Sequence, residues 1–257
     1  MTAARLAKPL AAPLPAIAKA IGPGAAVNHA VTPGARGLGL ALGLGASAMF
    51  ELDAALGHPV RVKKREVLFR AGEPLTALYA IRLGTFKSLL LAEDGREQVV
   101  GYHMAADVLG LDAIGQDFHV SEAIALEDSE VWALAFTKLE ELARREPSLR
   151  YNLLGLLSRA AHGSQEMMLM LGSMRSEERL AGFLLALAER FRSAGYSASE
   201  FMLRMTREEI ASYLGLQLET VSRLFSRLHE HGLIQVQGRA VKLLDLPALK
   251  ALAGHGP

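Results

Sequence analysis

"MTREEIASYLGLQLETVSRLFSRLHEHGLI", residues 205–234, places two short amphipathic segments on either side of one glycine. Thr206 and Glu209 have the spacing of a capping box, in which hydroxyl and carboxylate each satisfy a free backbone N–H, so a helix is expected to start at Arg207. It runs through "EEIASYL" and breaks at Gly215, because glycine adopts the left-handed backbone of a sharp turn without a steric penalty. A second helix is expected from about Leu218 to His231, ending at Gly232. At helical spacing Val221, Leu224, Phe225 and Leu228 share one face, and Glu219, Ser222, Arg223 and Arg227 share the other. "LIQVQGRAVKLLD", residues 233–245, then reads as two short strands around Gln237 and Gly238. Two helices, a tight turn and a hairpin form the pattern of a winged DNA-binding domain.

The polar face has the chemistry for that task. A helix fits the major groove and presents its first turns to the base edges. There Arg223 can donate two parallel hydrogen bonds to guanine, Glu219 can accept from a cytosine amino group, and Ser222 can hydrogen-bond or touch a thymine methyl. Arg207, Gln217, Arg227, Arg239 and Lys242 are candidates for the phosphate backbone, which sets affinity more than sequence choice. An ordinary solvated helix carries a similar mixture of charges, so the pattern alone leaves both readings open.

Working upstream, "SEERLAGFLLALAERF" (176–191) reads as one more helix and "RSAGYSASEF" (192–201) as a loop. A long helix is expected over about 148–174. In it Leu153, Leu157, Ala160, Ser164, Met167, Leu171 and Met174 recur at alternating spacings of four and three, the seam of a coiled coil between two copies of the chain. Apolar residues off that seam (Leu154, Leu156, Met168, Met170) point to a second buried face. A short helix, "TKLEELARRE", precedes Pro147. Between Val60 and Phe136 the texture is different: short β-prone runs broken by Gly72, Gly84, Gly95, Gly101 and Gly110, as in an antiparallel sandwich or barrel. Residues 1–48 are an Ala/Gly/Pro-rich tail, followed by a candidate short helix at "SAMFELDAAL" (47–56).

The 257 residues carry 28 Lys plus Arg against 27 Asp plus Glu, so overall charge selects no partner and local faces must be read instead. Cysteine is absent, which excludes disulfides and thiolate-held zinc or iron–sulfur sites built from this chain. Pro9, Pro13, Pro15 and Pro23 interrupt any signal-peptide core. "GLGLALGLGASAMF" (37–50) is too short and glycine-broken to span a membrane, and a cytoplasmic address is expected.

The quoted helices resemble the DNA-binding region of the Crp/Fnr superfamily of bacterial transcription regulators, and of its Fnr branch in particular. "LFRAGEPLTALYAIRLGTFKSLLLAEDGREQVVGYHMAADVLGLDAIG" (68–115) is similar to that family's sensory jelly-roll, and "SEERLAGFLLALAERF" to its linker helix. The resemblance implies an α+β fold in this order: a tail (1–48), an antiparallel β jelly-roll barrel of the cyclic-nucleotide-binding type (49–147), a long dimerisation helix (148–175) and a winged helix-turn-helix domain (176–257). It implies a homodimer on double-stranded DNA at a TTGAT-like inverted repeat, read through an "E-x-x-S-R" pattern present here as Glu219, Ser222 and Arg223. Contact with RNA polymerase is also implied.

Four departures bear on the mechanism. Gln217 stands where relatives place Thr or Ser, and Gln is a poorer helix cap. Arg96, in the loop "AEDGREQ" (92–98), takes an acidic position of the polymerase-facing loop. The cluster cysteines of the Fnr branch are missing, and Trp132 takes the barrel one. The Gly-Glu and Arg-Ser pairs of nucleotide-binding members are here Gly110-Leu111 and Val120-Ser121. No cofactor is therefore expected. A ligand-gated member sensing haem-bound gas or a nucleotide is the alternative, with His29, His58, His103 and His119 as candidate ligands. An enzyme is disfavoured by the lack of a nucleophile–base set or phosphate loop. A purely structural oligomer is disfavoured by the intact "E-x-x-S-R" face.

Overall fold

A computed structural model of the chain describes residues 58–254. The expected tail, the short helix at 47–56 and His29 lie outside the described residues.

Eight strands build the N-terminal half: β1 (Val60–Val62), β2 (Val67–Phe69), β3 (Ala77–Leu83), β4 (Thr85–Leu91), β5 (Glu97–Met104), β6 (Val108–Leu109), β7 (Glu122–Ala125) and β8 (Ser129–Ala135). They pair as two four-stranded antiparallel sheets, in the orders β1-β8-β3-β6 and β2-β7-β4-β5. The barrel is that of a jelly-roll whose two sheets are not closed on each other by strand pairing. Alternation decides what each sheet buries. Val62, Ile81, Leu109 and Val131 of one sheet meet Phe69, Phe86, Ala123 and Ala125 of the other, and this forms the barrel core.

Among the described residues six α-helices follow or flank the remaining strands: α1 (Phe136–Arg145), α2 (Pro147–Ser173), α3 (Ser176–Ser193), α4 (Arg207–Leu214), α5 (Leu218–Glu230) and α6 (Leu246–Leu252). Pro147 sits at the start of α2, where its missing N–H costs nothing and its fixed φ suits a helix. Leu139 and Leu142 of α1 and Leu149 of α2 cover the outer face of the first sheet at Leu78, Ala80 and Leu134. Trp132 is packed into that same cluster, beside Leu153 and Leu156.

In α3 every residue from Leu180 to Ala188 is buried. This helix is the centre of the C-terminal half, and α4, α5, α6 and a three-stranded sheet pack around it. That sheet has the order β10-β11-β9, with β9 at Glu200–Met202, β10 at Ile234–Gln237 and β11 at Ala240–Leu243. The segment expected as a loop up to Phe201 therefore ends in a strand, in which Phe201 pairs with Val241 and Glu200 with Lys242. Three residues with one buried side chain are too short for sequence periodicity to reveal; pairing with β11 is what makes them a strand.

The long helix is present as expected, but its apolar faces are turned from the expected seam. Leu153 packs into the barrel-side cluster. Met167, Leu171 and Met174 pack against the C-terminal core. Of the expected seam only Ala160 and Ser164 are exposed, with Leu157 half-buried. The large apolar side chains of α2 left at the surface are Tyr151, Leu154, Met168 and Leu169, and of these Leu154 (59% exposed) and Met168 (65%) lie one position beyond expected seam residues. Leu154, Leu157, Ala161, Ser164 and Met168 also step by three and four. Two overlapping stripes satisfied the same spacing, and the body of the chain takes one of them.

The two halves meet along β5 and α4. Val99 and Tyr102 of β5 belong to the same apolar cluster as α3 and α4. The Tyr102 ring lies 5.1 Å from Tyr213 and 6.1 Å from Phe183, centroid to centroid. Around these rings the Val99 N–H donates to the Ser212 hydroxyl at 2.9 Å, and Arg190 donates to the Tyr102 carbonyl at 2.7 Å. Lys87 of β4 is 3.0 Å from Glu209 of α4, with both side chains less than a fifth exposed.

Candidate nucleic-acid interface

The capping box forms as the spacing requires. The Glu209 N–H donates to the Thr206 hydroxyl at 3.1 Å, and the Thr206 N–H to the Glu209 carboxylate at 2.7 Å. α4 ends at Gly215, whose φ of 62° is left-handed. Its missing side chain has a second use: a Cβ there would lie 2.8 Å from the Leu171 side chain of α2. Arg179 of α3 braces this junction. Its guanidinium donates to the carbonyls of Leu171, Met174 and Leu214 at 2.8, 3.0 and 2.9 Å. One cation thus serves the carbonyl ends of α2 and α4, where unsatisfied acceptors and the helix dipole favour positive charge.

α5 is amphipathic in the predicted sense. Val221, Leu224, Phe225 and Leu228 are buried, while Glu219, Ser222, Arg223 and Arg227 are exposed. The Arg223 Nε donates to the Glu219 carbonyl one turn back, at 3.3 Å. Gln217 occupies the N-cap without a side-chain hydrogen bond to the helix, as its poor capping geometry predicts. The wing turn consists of Gly238 and Arg239, since Gln237 pairs with Ala240. Arg239 is exposed at that turn and Lys242 on β11.

The structure separates the five expected backbone contacts into two groups. Gln217, Arg239 and Lys242 are exposed. Arg207 is half-buried, with its guanidinium carbon 3.5 Å from the centre of the Phe225 ring. Arg227 is ion-paired with Glu177 of α3. These two arginines therefore fasten α4 and α3 to α5, which helical spacing could not reveal. Arg179 was missed by sequence reasoning altogether. It stands in the charged first turn of α3 beside Glu177 and Glu178, and nothing local marks its distant carbonyl partners.

In the barrel, His119 is 2% exposed and stacks on Phe69 with 3.8 Å between ring centres. His103 hydrogen-bonds the Ser88 hydroxyl at 2.8 Å, and His58 is exposed. Among the described residues no group of three or more His, Cys, Asp or Glu is arranged to hold a metal ion. Arg96 folds back onto Asp94, 2.7 Å away, within the exposed turn between β4 and β5. No helix among the described residues is long and apolar enough to cross a membrane.

Residues 178–252 match the Crp-like helix-turn-helix domain, and residues 59–146 match the cyclic nucleotide-binding domain. The chain is 44% identical over 214 residues to the transcriptional regulatory protein btr of Bordetella pertussis, covering 83% of this chain and 88% of that protein. It is 43% identical over 205 residues to the fumarate and nitrate reduction regulatory protein of Escherichia coli, covering 80% and 82%. Among solved structures it is similar to FixK2 from Bradyrhizobium japonicum, with a TM-score of 0.71, 31% identity, and coverage of 76% of this chain and 96% of that one.

Proposed function

The chain belongs to the Crp/Fnr superfamily of DNA-binding transcription regulators, and from that membership we propose that it reads a TTGAT-like inverted repeat as a homodimer, with no iron–sulfur cluster of its own. The observation that carries the reading is the α5 surface. Glu219, Ser222 and Arg223 stand together on its exposed face while the opposite face is locked into the C-terminal core. Each then has a base-edge role: Arg223 to guanine, Glu219 to a cytosine amino group, Ser222 to either partner of the neighbouring pair. Gln217, Arg239 and Lys242 reach the phosphates, and Arg207 and Arg227 contribute charge from positions already packed.

A palindrome needs two reading heads related by a two-fold axis. The surface that supplies the second head is the stripe Leu154, Leu157, Ala161, Ser164 and Met168, because Leu154 and Met168 are left uncovered by the chain itself while Leu157 between them is half-buried. In this arrangement residues 49–147 are the sensory domain, 148–175 the dimer helix and 176–257 the reading domain, working in the cytoplasm with RNA polymerase as partner.

An iron–sulfur cluster does not fit these residues. Such clusters are held by thiolates, the chain has no cysteine, and the barrel position where one is expected is Trp132, packed under α2. The dimer must then stand on apolar surface alone. The decisive experiment is an electrophoretic mobility shift with aerobically purified protein on a TTGAT palindrome and on a scrambled one, repeated under nitrogen. Equal, sequence-selective binding in both atmospheres is expected. Binding that appears only after anaerobic iron and sulfide reconstitution would overturn the reading.

A further inference from the structure

On the barrel, three donors converge on one oxygen. The Val120 N–H, the Ser121 N–H and the Ser121 hydroxyl lie 3.0, 2.8 and 2.8 Å from Oδ2 of Asp112. Two successive backbone N–H groups plus a hydroxyl are the elements of an anion-binding nest. The other carboxylate oxygen, Oδ1, is 3.7 Å from Nδ1 of His119. That nitrogen is buried and has no hydrogen-bond partner among the described residues, so the imidazole adds an unspent polar group to the same site. His119 is held there on two sides. Phe69 stacks on it, and Gly110, at φ 91°, leaves the room: a Cβ there would lie 3.2 Å from His119 Cε1.

We propose that residues 110–121 form a receptor for a small oxyanion in which the chain's own Asp112 carboxylate is the resident ligand, so that the barrel is closed to the phosphate of a nucleotide. Two features argue for a receptor over a simple loop brace. The donors come from consecutive residues and point at one acceptor atom, as they do around a phosphate or carboxylate oxygen. And the neighbouring His119 is buried with an unused ring nitrogen, a group that an uncharged brace has no need for. The consequence deepens the reading of the chain as a regulator without a cofactor, and rests on it: the loop that an effector would order is already ordered in cis.

Thermal unfolding of the full chain tests this without DNA, so its failure is separable from failure of the operator reading. Asp112→Ala removes the resident anion and is expected to lower the unfolding midpoint by roughly 2–8 °C. Sodium formate should restore at least half of that loss saturably, while sodium chloride at the same ionic strength should not. If the variant folds only poorly, refolding yield in formate against chloride gives the same reading. Asp112→Asn keeps the shape and one acceptor but not the charge; it should lose part of the midpoint and gain nothing from formate. In the unmodified protein, neither cyclic AMP nor inorganic phosphate should move the midpoint. Saturable stabilisation of the unmodified protein by either probe would overturn the proposal. So would an Asn variant as stable as the parent, or an Ala variant indifferent to formate.

Discussion

Lys87 Nζ lies 3.0 Å from Glu209 Oε1, while the other oxygen of the same carboxylate accepts the Thr206 N–H at 2.7 Å. A barrel strand and the first turn of the helix-turn-helix therefore share one carboxylate. Burial works against ionising Glu209, but the Thr206 N–H and the Lys87 ammonium together hold it below the ordinary carboxylate range. Its stabilising contribution is present above the unfolded value near 4.5 and is lost as pH falls through the lower folded value.

Glu209→Gln retains a capping side chain and removes the ion pair; Lys87→Met removes the other partner. Each should cost about 1.5–3 kcal/mol in urea unfolding, the range for hydrogen bonds to charged groups. The double variant should lose clearly less than the sum of the two, since both remove one interaction. Strict additivity would show that the pair does not couple the halves.

Arg223→Ala should weaken operator binding by about 1–3 kcal/mol per half-site and erase discrimination at the guanine. Arg239→Ala, at the wing turn, should weaken binding to all sequences alike and reduce the dependence of affinity on salt. Titrations on TTGAT and scrambled duplexes at several salt concentrations separate the two effects. An Arg223→Ala protein that still preferred TTGAT would show that the reading face is elsewhere.

Met168→Glu places a carboxylate on the exposed stripe of α2, so the single chain should fold normally and sediment as a monomer. Leu171→Glu puts the same charge against Gly215 and the C-terminal core, where an unpaired ion is costly. It should destabilise the fold itself. If sedimentation showed Met168→Glu as an intact dimer with normal circular dichroism, the proposed surface would be wrong.

Burial pushes His103 down to about 4; the Asp107 carboxylate pulls the other way and Arg190 acts with burial. Between an unfolded value near 6.5 and that folded value, the unfolded chain takes up a proton that the native state refuses. Stability from this residue is therefore complete above about pH 6.5 and declines towards pH 4, with a slope of up to about 1.4 kcal/mol per pH unit. His103 as a residue is only half-buried, so the full slope is not expected. His103→Gln should flatten the fall in urea midpoint between pH 7 and pH 4.5. Parallel curves for variant and parent would rule out this titration.

What the sequence made legible was local. The Thr206–Glu209 box, the Gly215 break and the two faces of α5 depend on residues a few positions apart, and all three appear as expected. What it concealed depends on distance. Lys87 and Glu209 are 122 positions apart, and nothing in either neighbourhood marks them as partners. The α2 faces were ambiguous for a different reason. The helix is apolar on two faces, so 153/157/160 and 154/157/161 satisfy the same periodicity. Only the positions of the barrel and the C-terminal core decide between them. β9 was lost because its order comes from its partner strand.

The close seat of Leu171 on Gly215 turns α2 into a gear meshed with the reading head. Moving a helix by one residue in its own screw rotates it by about 100° and shifts it by about 1.5 Å. Such a step would carry Leu171 out from under the turn and pull the Leu171 carbonyl away from Arg179, which also holds the end of α4. The tooth and the catch disengage together. A twist of α2 would therefore break the packing and the hydrogen bond together, so the orientation of α5 is tied to that of α2 through Gly215 and Arg179.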